Sequence, residues 1–143
     1  SVAEIAAATQ ITFTISATSQ TGTGPDVRLV AFNTDDNAIN ASDASAAGQI
    51  VGTYPAATIA AGLPNFLLTF DVTSIVKADA LAGNFSSFRL DSSLTANDGD
   101  SGGDVFVFGT IGNQDARLNI IPEPSGMAMI TCAAAIGLVR RRR

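Results

Sequence analysis

Asp98, Asp100 and Asp104 stand in the run Asp98-Gly99-Asp100-Ser101-Gly102-Gly103-Asp104. Carboxylates at alternate positions, with glycines for a sharp turn, are a usual supply of oxygen ligands for calcium. The helix-loop-helix pattern is not met, because Gly109 occupies the twelfth place where a Glu belongs. The competing reading is a solvated acidic loop between strands. Asp35, Asp36 and Asp43, with Asn33 and Asn37, form a second acidic loop, where Asx residues are expected to make turns and caps. Paired carboxylates can hydrolyse glycosides, but no pair is fixed across a cleft by its spacing. The chain has no His, which excludes a Ser-His-Asp triad, a Cys-His dyad and any His-ligated metal. Cys132 is the single cysteine, so neither an internal disulfide nor a cysteine zinc site forms. Lys77 is the single lysine, and a Ser-Lys dyad would need it buried with a lowered pKa. There is no Trp, and Tyr54 is the only Tyr, so stacking of sugars or bases falls to Phe. The expected protein is not an enzyme and carries no cofactor, calcium aside.

The elements that would position these residues follow from periodicity. Residues 9–17 put Ile11, Phe13 and Ile15 on one face and Thr12, Thr14 and Ser16 on the other, the pattern of a half-buried strand. A Gly-Pro-Asp turn over 21–26 and a second strand over 27–32 suggest a hairpin. Ser42 is expected to cap a helical turn ended by Gly48. Residues 49–54 read as a strand ended by Pro55. Phe66, Leu68, Phe70 and Val72 mark a central strand. Asp71 or Thr73 then caps a helix through Leu81, with Val72, Ile75, Val76 and Leu81 facing the core and Gly83 as the stop. Residues 85–90, 105–108 and 117–121 complete about seven strands. The expected fold is mainly β, an antiparallel β-sandwich over 1–120, followed by a C-terminal apolar helix.

The 143 residues suffice for one domain with one core. They are 46% hydrophobic and 15% charged, which excludes intrinsic disorder. Four of the eight basic residues are the last four, leaving four against thirteen acidic residues upstream. Such a body has no electrostatic footprint for nucleic acid. The chain begins at Ser1 with no apolar leader, and its start is read as a cut edge, either a mature start or a fragment of a longer chain.

Composition changes abruptly at residue 121. Ile121-Pro122-Glu123-Pro124-Ser125-Gly126 reads as a rigid break that neither strand nor helix runs through. Thirteen residues without charge follow over 127–139, and Arg140, Arg141, Arg142 and Arg143 finish the chain. An apolar stretch partitions into a bilayer and stops translocation, and arginines stay on the cytoplasmic side. As a helix the stretch rises roughly 20 Å against about 30 Å of hydrocarbon, a gap that snorkelling arginines narrow. The alternative is a core helix, but this stretch is apolar all round, where a core helix keeps a polar face.

Pro122, Glu123, Pro124 and Ser125, then the apolar stretch, then the four arginines, resemble the PEP-CTERM sorting signal of Gram-negative bacteria. The resemblance covers 121–143. It implies an exported protein, held briefly in the inner membrane and processed near Pro122-Glu123-Pro124 by an exosortase, a membrane-embedded cysteine protease. It further implies release to the cell surface or extracellular matrix, often in bacteria that make exopolysaccharide. Val27 to Phe32, Ala41-Ser42-Asp43-Ala44, Gly48, Gly52, Phe70-Asp71-Val72-Thr73, Phe88-Arg89-Leu90 and Ala116 to Ile120 resemble the C-terminal half of DNRLRE-like extracellular β-sandwich domains. That resemblance implies a jelly-roll-like sandwich whose first strands lie upstream of Ser1. Two functions follow as expectations: a non-enzymatic surface or matrix protein, or a polysaccharide-binding module, calcium-assisted, with the same tail.

Overall fold

A computed structural model describes residues 1–21, 24–33, 40–92, 105–108 and 116–123. Within them the chain is mainly β, with two small antiparallel sheets and few helices. In chain order the elements are α1 (Val2–Ala6), β1 (Ala8–Thr21), β2 (Val27–Phe32), a 3-10 turn (Ala41–Ala44), β3 (Gly48–Tyr54), α2 (Ala56–Gly62), β4 (Phe66–Asp71), α3 (Thr73–Ala82), β5 (Ser87–Ser92), β6 (Val105–Phe108) and β7 (Arg117–Pro122).

The larger sheet is built on β1, the longest strand. β4 pairs with it from Thr12↔Asp71 to Ala17↔Phe66. β6 pairs over residues 17–21 and β7 over residues 8–14. Thr14 faces both Thr69 and Arg117, and Ala17 faces both Phe66 and Phe108. A strand residue with two partners has one on each flank, so β6 and β7 lie end to end on the flank opposite β4. The smaller sheet has the order β3-β2-β5.

The hairpin expected between β1 and β2 does not form. β2 pairs with β3 and β5 in the other sheet. Gly24, at φ 67, and Pro25 let the link swing the chain across. The apolar faces of β1 and β2 then meet through the core instead of side by side. Alternation specifies a face and leaves the partner open. Ile11, Ala17, Leu68 and Phe70 from one sheet and Val27 and Leu29 from the other share one buried cluster with Ile59, Val72 and Val76. The Phe13 and Phe88 rings meet across the sheets at 5.7 Å, and Tyr54 meets Phe70 edge-on at 5.1 Å. Tilted and edge-on pairs at these separations suit aromatic quadrupoles.

Several local expectations shift. The 3-10 turn is capped by Asn40, whose side chain accepts from the Ser42 amide at 2.9 Å, so Ser42 is not the cap. The turn stops at Ala44, and Gly48 begins β3, where a Cβ would lie 2.5 Å from the Ala31 carbonyl oxygen. α3 is where the pattern places it, but its N-cap is Val72, with no side-chain cap bond, rather than Asp71 or Thr73; Gly83 ends it at φ 74, a left-handed stop that suits glycine. Val72 and Val76 are buried, but Leu81 is 74% exposed and does not face the core. β5 starts at Ser87, two residues later than expected, and Phe85 is exposed. The apolar helix expected over 127–139 lies outside the described residues.

Candidate functional site

The tail motif enters the structure through β7. The break expected at Ile121 begins later, because β7 runs through Pro122, opposite Ala8. Proline is tolerated there because β7 is an edge strand and Pro122 its last residue. Thr9 Oγ1 donates to the Ile121 carbonyl at 3.1 Å, and the Glu123 amide donates to the Ala7 carbonyl at 3.2 Å. Pro122 and Glu123 are both exposed. Pro124, Ser125, Arg140, Arg141, Arg142 and Arg143 lie outside the described residues, as do Asp98, Asp100 and Asp104 and, in the other acidic loop, Asp35, Asp36 and Asn37. Among the described residues no group of three or more His, Cys, Asp or Glu is placed to hold a metal ion. No helix among them is long and apolar enough to cross a membrane.

Asp43, the described carboxylate of the second acidic loop, is buried and structural. It accepts from the Asn40 amide at 2.9 Å and completes a capping box. Arg89 fastens the same turn to the smaller sheet through the Asp43 and Ala46 carbonyls, at 3.0 and 2.6 Å, and lies over the Phe32 ring. Lys77 is half-buried on α3.

Beside this turn a groove of about 230 Å³ opens where β2 ends, β3 begins and α3 passes. Phe32, Asn33, Gly48, Gln49, Ile75 and Asp79 line it. Asp79 accepts from Ser86 Oγ at 2.7 Å. The lining offers a carboxylate, two amides and an aromatic side chain, groups that suit a hydroxyl-rich ligand. The sequence alone does not point to Asp79 or Gln49, because helix and strand bring them together from thirty residues apart.

The joint between β1, β4 and α3 is a second polar cluster. The Ile11 amide donates to Thr73 Oγ1 at 2.8 Å, Thr73 Oγ1 donates to Asp71 Oδ1 at 2.6 Å, and the Thr73 amide donates to the same oxygen at 2.9 Å. These bonds from Thr73, the side-chain one first, hold the Asp71 carboxyl below its ordinary value of 3.8. The joint ties the start of the helix to β1.

No protein-family model, curated protein or solved structure matches this chain.

Proposed function

We propose that this chain is an exported, non-enzymatic protein of the cell surface or extracellular matrix, with a jelly-roll-like sandwich as body and a sorting tail processed by an exosortase. One observation supports the reading above others. The Pro-Glu-Pro motif, the uncharged stretch over 127–139 and the four terminal arginines stand in that order, starting where β7 ends at Pro122. Removal of the residues after Glu123 leaves every described strand in place. The inner membrane and the exosortase are the partners of the tail, and the acidic body takes no nucleic acid. The test is the intact mass of the protein from its native host, fraction by fraction. A surface or medium product that has lost its arginines supports the reading. A full-length soluble product defeats it. Glu123→Ala, or deletion of Arg140 to Arg143, changes the location and leaves the thermal midpoint alone.

The groove beside Phe32, Asn33, Gln49 and Asp79 favours a second reading, an exopolysaccharide-binding module delivered by the same tail. Its calcium-assisted form would draw on Asp98, Asp100 and Asp104. Asp79→Ala abolishing retention on an exopolysaccharide column supports it. A thermal midpoint indifferent to calcium removes the calcium part.

A further inference from the structure

Leu118 and Ile120 are 44% and 41% exposed, and among the described residues no strand pairs with the outer side of β7. The Ile11 amide and carbonyl are taken on the far flank of β1, by Thr73 Oγ1 and the Val72 amide. Successive residues of a strand turn their backbone groups to alternate sides. Those of Thr12 and Thr14 therefore point at β7, where Asn119 and Arg117 stand opposite. Leu118 and Ile120 then present amide and carbonyl outward, and Pro122 presents a carbonyl without an amide hydrogen. We propose that this edge joins two copies of the chain, β7 antiparallel to β7, with Ile120 opposite Ile120 of the second copy on a two-fold axis.

In this register the strand is its own complement. The bond from the Glu123 amide to the Ala7 carbonyl carries the extended chain one residue past β7. Alternation puts Leu118, Ile120 and Pro122 on one face and Arg117, Asn119, Ile121 and Glu123 on the other. About the axis at Ile120, Leu118 meets Pro122 and Arg117 meets Glu123, each twice. The two Ile120 residues exchange a pair of hydrogen bonds, and each Leu118 amide donates to a Pro122 carbonyl. The apolar side chains make one strip, and a pair of opposite charges closes each end. Centring on Asn119 instead sets Arg117 against Ile121 and loses both charge pairs. A two-fold contact closes on itself. The joined sheet ends on each side in β4, where the Tyr54 hydroxyl already holds the Thr69 backbone, so assembly stops at two. The joint is small, under the roughly 1,200 Å² of total surface that a stable interface buries, and monomer prevails on dilution. None of this depends on the sorting tail.

Sedimentation velocity of the full-length chain in density-matched detergent, over a range of concentrations, tests the pairing. The parent chain is expected to dimerise as concentration rises. Arg117→Glu sets acid against acid and Glu123→Arg sets base against base, so each alone should dimerise roughly tenfold more weakly. An equimolar mixture of the two restores both opposite-charge pairs and should dimerise like the parent. A parent that stays monomeric, variants that associate like the parent, or a mixture that stays monomeric overturns the proposal; association through the apolar tail would leave the variants unchanged. A cross-link reads the register without altering a charge. Cys132 is the single cysteine, so Ile120→Cys is made together with Cys132→Ser. Residues facing each other in a hydrogen-bonded pair lie about 5.5 Å apart between Cα atoms, within disulfide reach. Leu118 lies roughly 14 Å from its own copy. Ile120→Cys should oxidise to a disulfide dimer and Leu118→Cys should not. Equal cross-linking at the two positions, or none at Ile120→Cys, overturns the pairing.

Discussion

The two flanks of β1 are finished in opposite ways. On one, β4 is itself an edge strand, but its free side is closed from the other sheet. The Tyr54 hydroxyl, at the end of β3, donates to the Thr69 carbonyl at 3.0 Å and accepts from the Thr69 amide at 3.2 Å. One side chain thus satisfies both outward backbone groups of a residue at the middle of the strand. On the other flank, all six residues of β7 are exposed, including Leu118, Ile120 and Ile121. Among the described residues no strand pairs with its outer side, and an open apolar edge invites pairing with another chain. The closed flank belongs to the packed body. The open one is where the chain leaves the sheet toward its tail.

Matched leucines across β1 give the sharpest contrast. Leu68, opposite Ile15, is fully buried, while Leu118, opposite Phe13, is 44% exposed. Leu68→Ala is expected to cost about 2–5 kcal/mol in denaturant unfolding, and Leu118→Ala no more than about 1 kcal/mol. Equal losses would mean that the two flanks are equally packed. Tyr54→Phe keeps the ring contacts to Phe66 and Phe70 and removes only the hydroxyl. It is expected to cost about 1 kcal/mol and to raise self-association in sedimentation velocity, because β4 is then as open as β7. A monomer as clean as the parent would show that the hydroxyl does not guard the edge. Ile121→Lys on the open flank is expected to shift stability by under about 1 kcal/mol and to lower self-association; unchanged association would place the sticky surface elsewhere.

The smallest effect is electrostatic and lies at the end of the closed flank. Asp71 has a native pKa below its unfolded one. Its contribution is therefore complete above the ordinary value of 3.8 and fades as pH falls through the lowered native value. Thermal midpoints measured from pH 5 to pH 2 should show a drop that is smaller in Asp71→Asn. Parallel curves for the two proteins would remove Asp71 from the acid response.

Strand faces were legible because burial on one side forces a period of two. Ile11, Leu68 and Phe70 lie inside as their alternation requires. α3 was legible because apolar spacing and a glycine stop agree. α1 and α2 were not read from the sequence. α2 carries no side-chain cap of its own at Pro55. Its first amide is taken by Asp26 Oδ1 at 2.8 Å, a residue thirty positions away that local pattern assigns only to a turn. Of the candidate sites, the motif was legible from composition, whereas the groove around Asp79 was not, since its lining comes from β2, β3 and α3.

By itself the sequence determined a mainly β body, the apolar faces of β1 and β4, the span and glycine stop of α3, and the place where composition turns from sheet to tail. Those are local properties, fixed by period, dihedral preference and capping within a few residues. Only the tertiary structure decided that β1 and β2 part into different sheets, that Tyr54 covers one edge while no described strand covers β7, and that β7 runs through Pro122. Each of these depends on which distant strand satisfies a given backbone group, and the alternation of side chains carries no record of that choice.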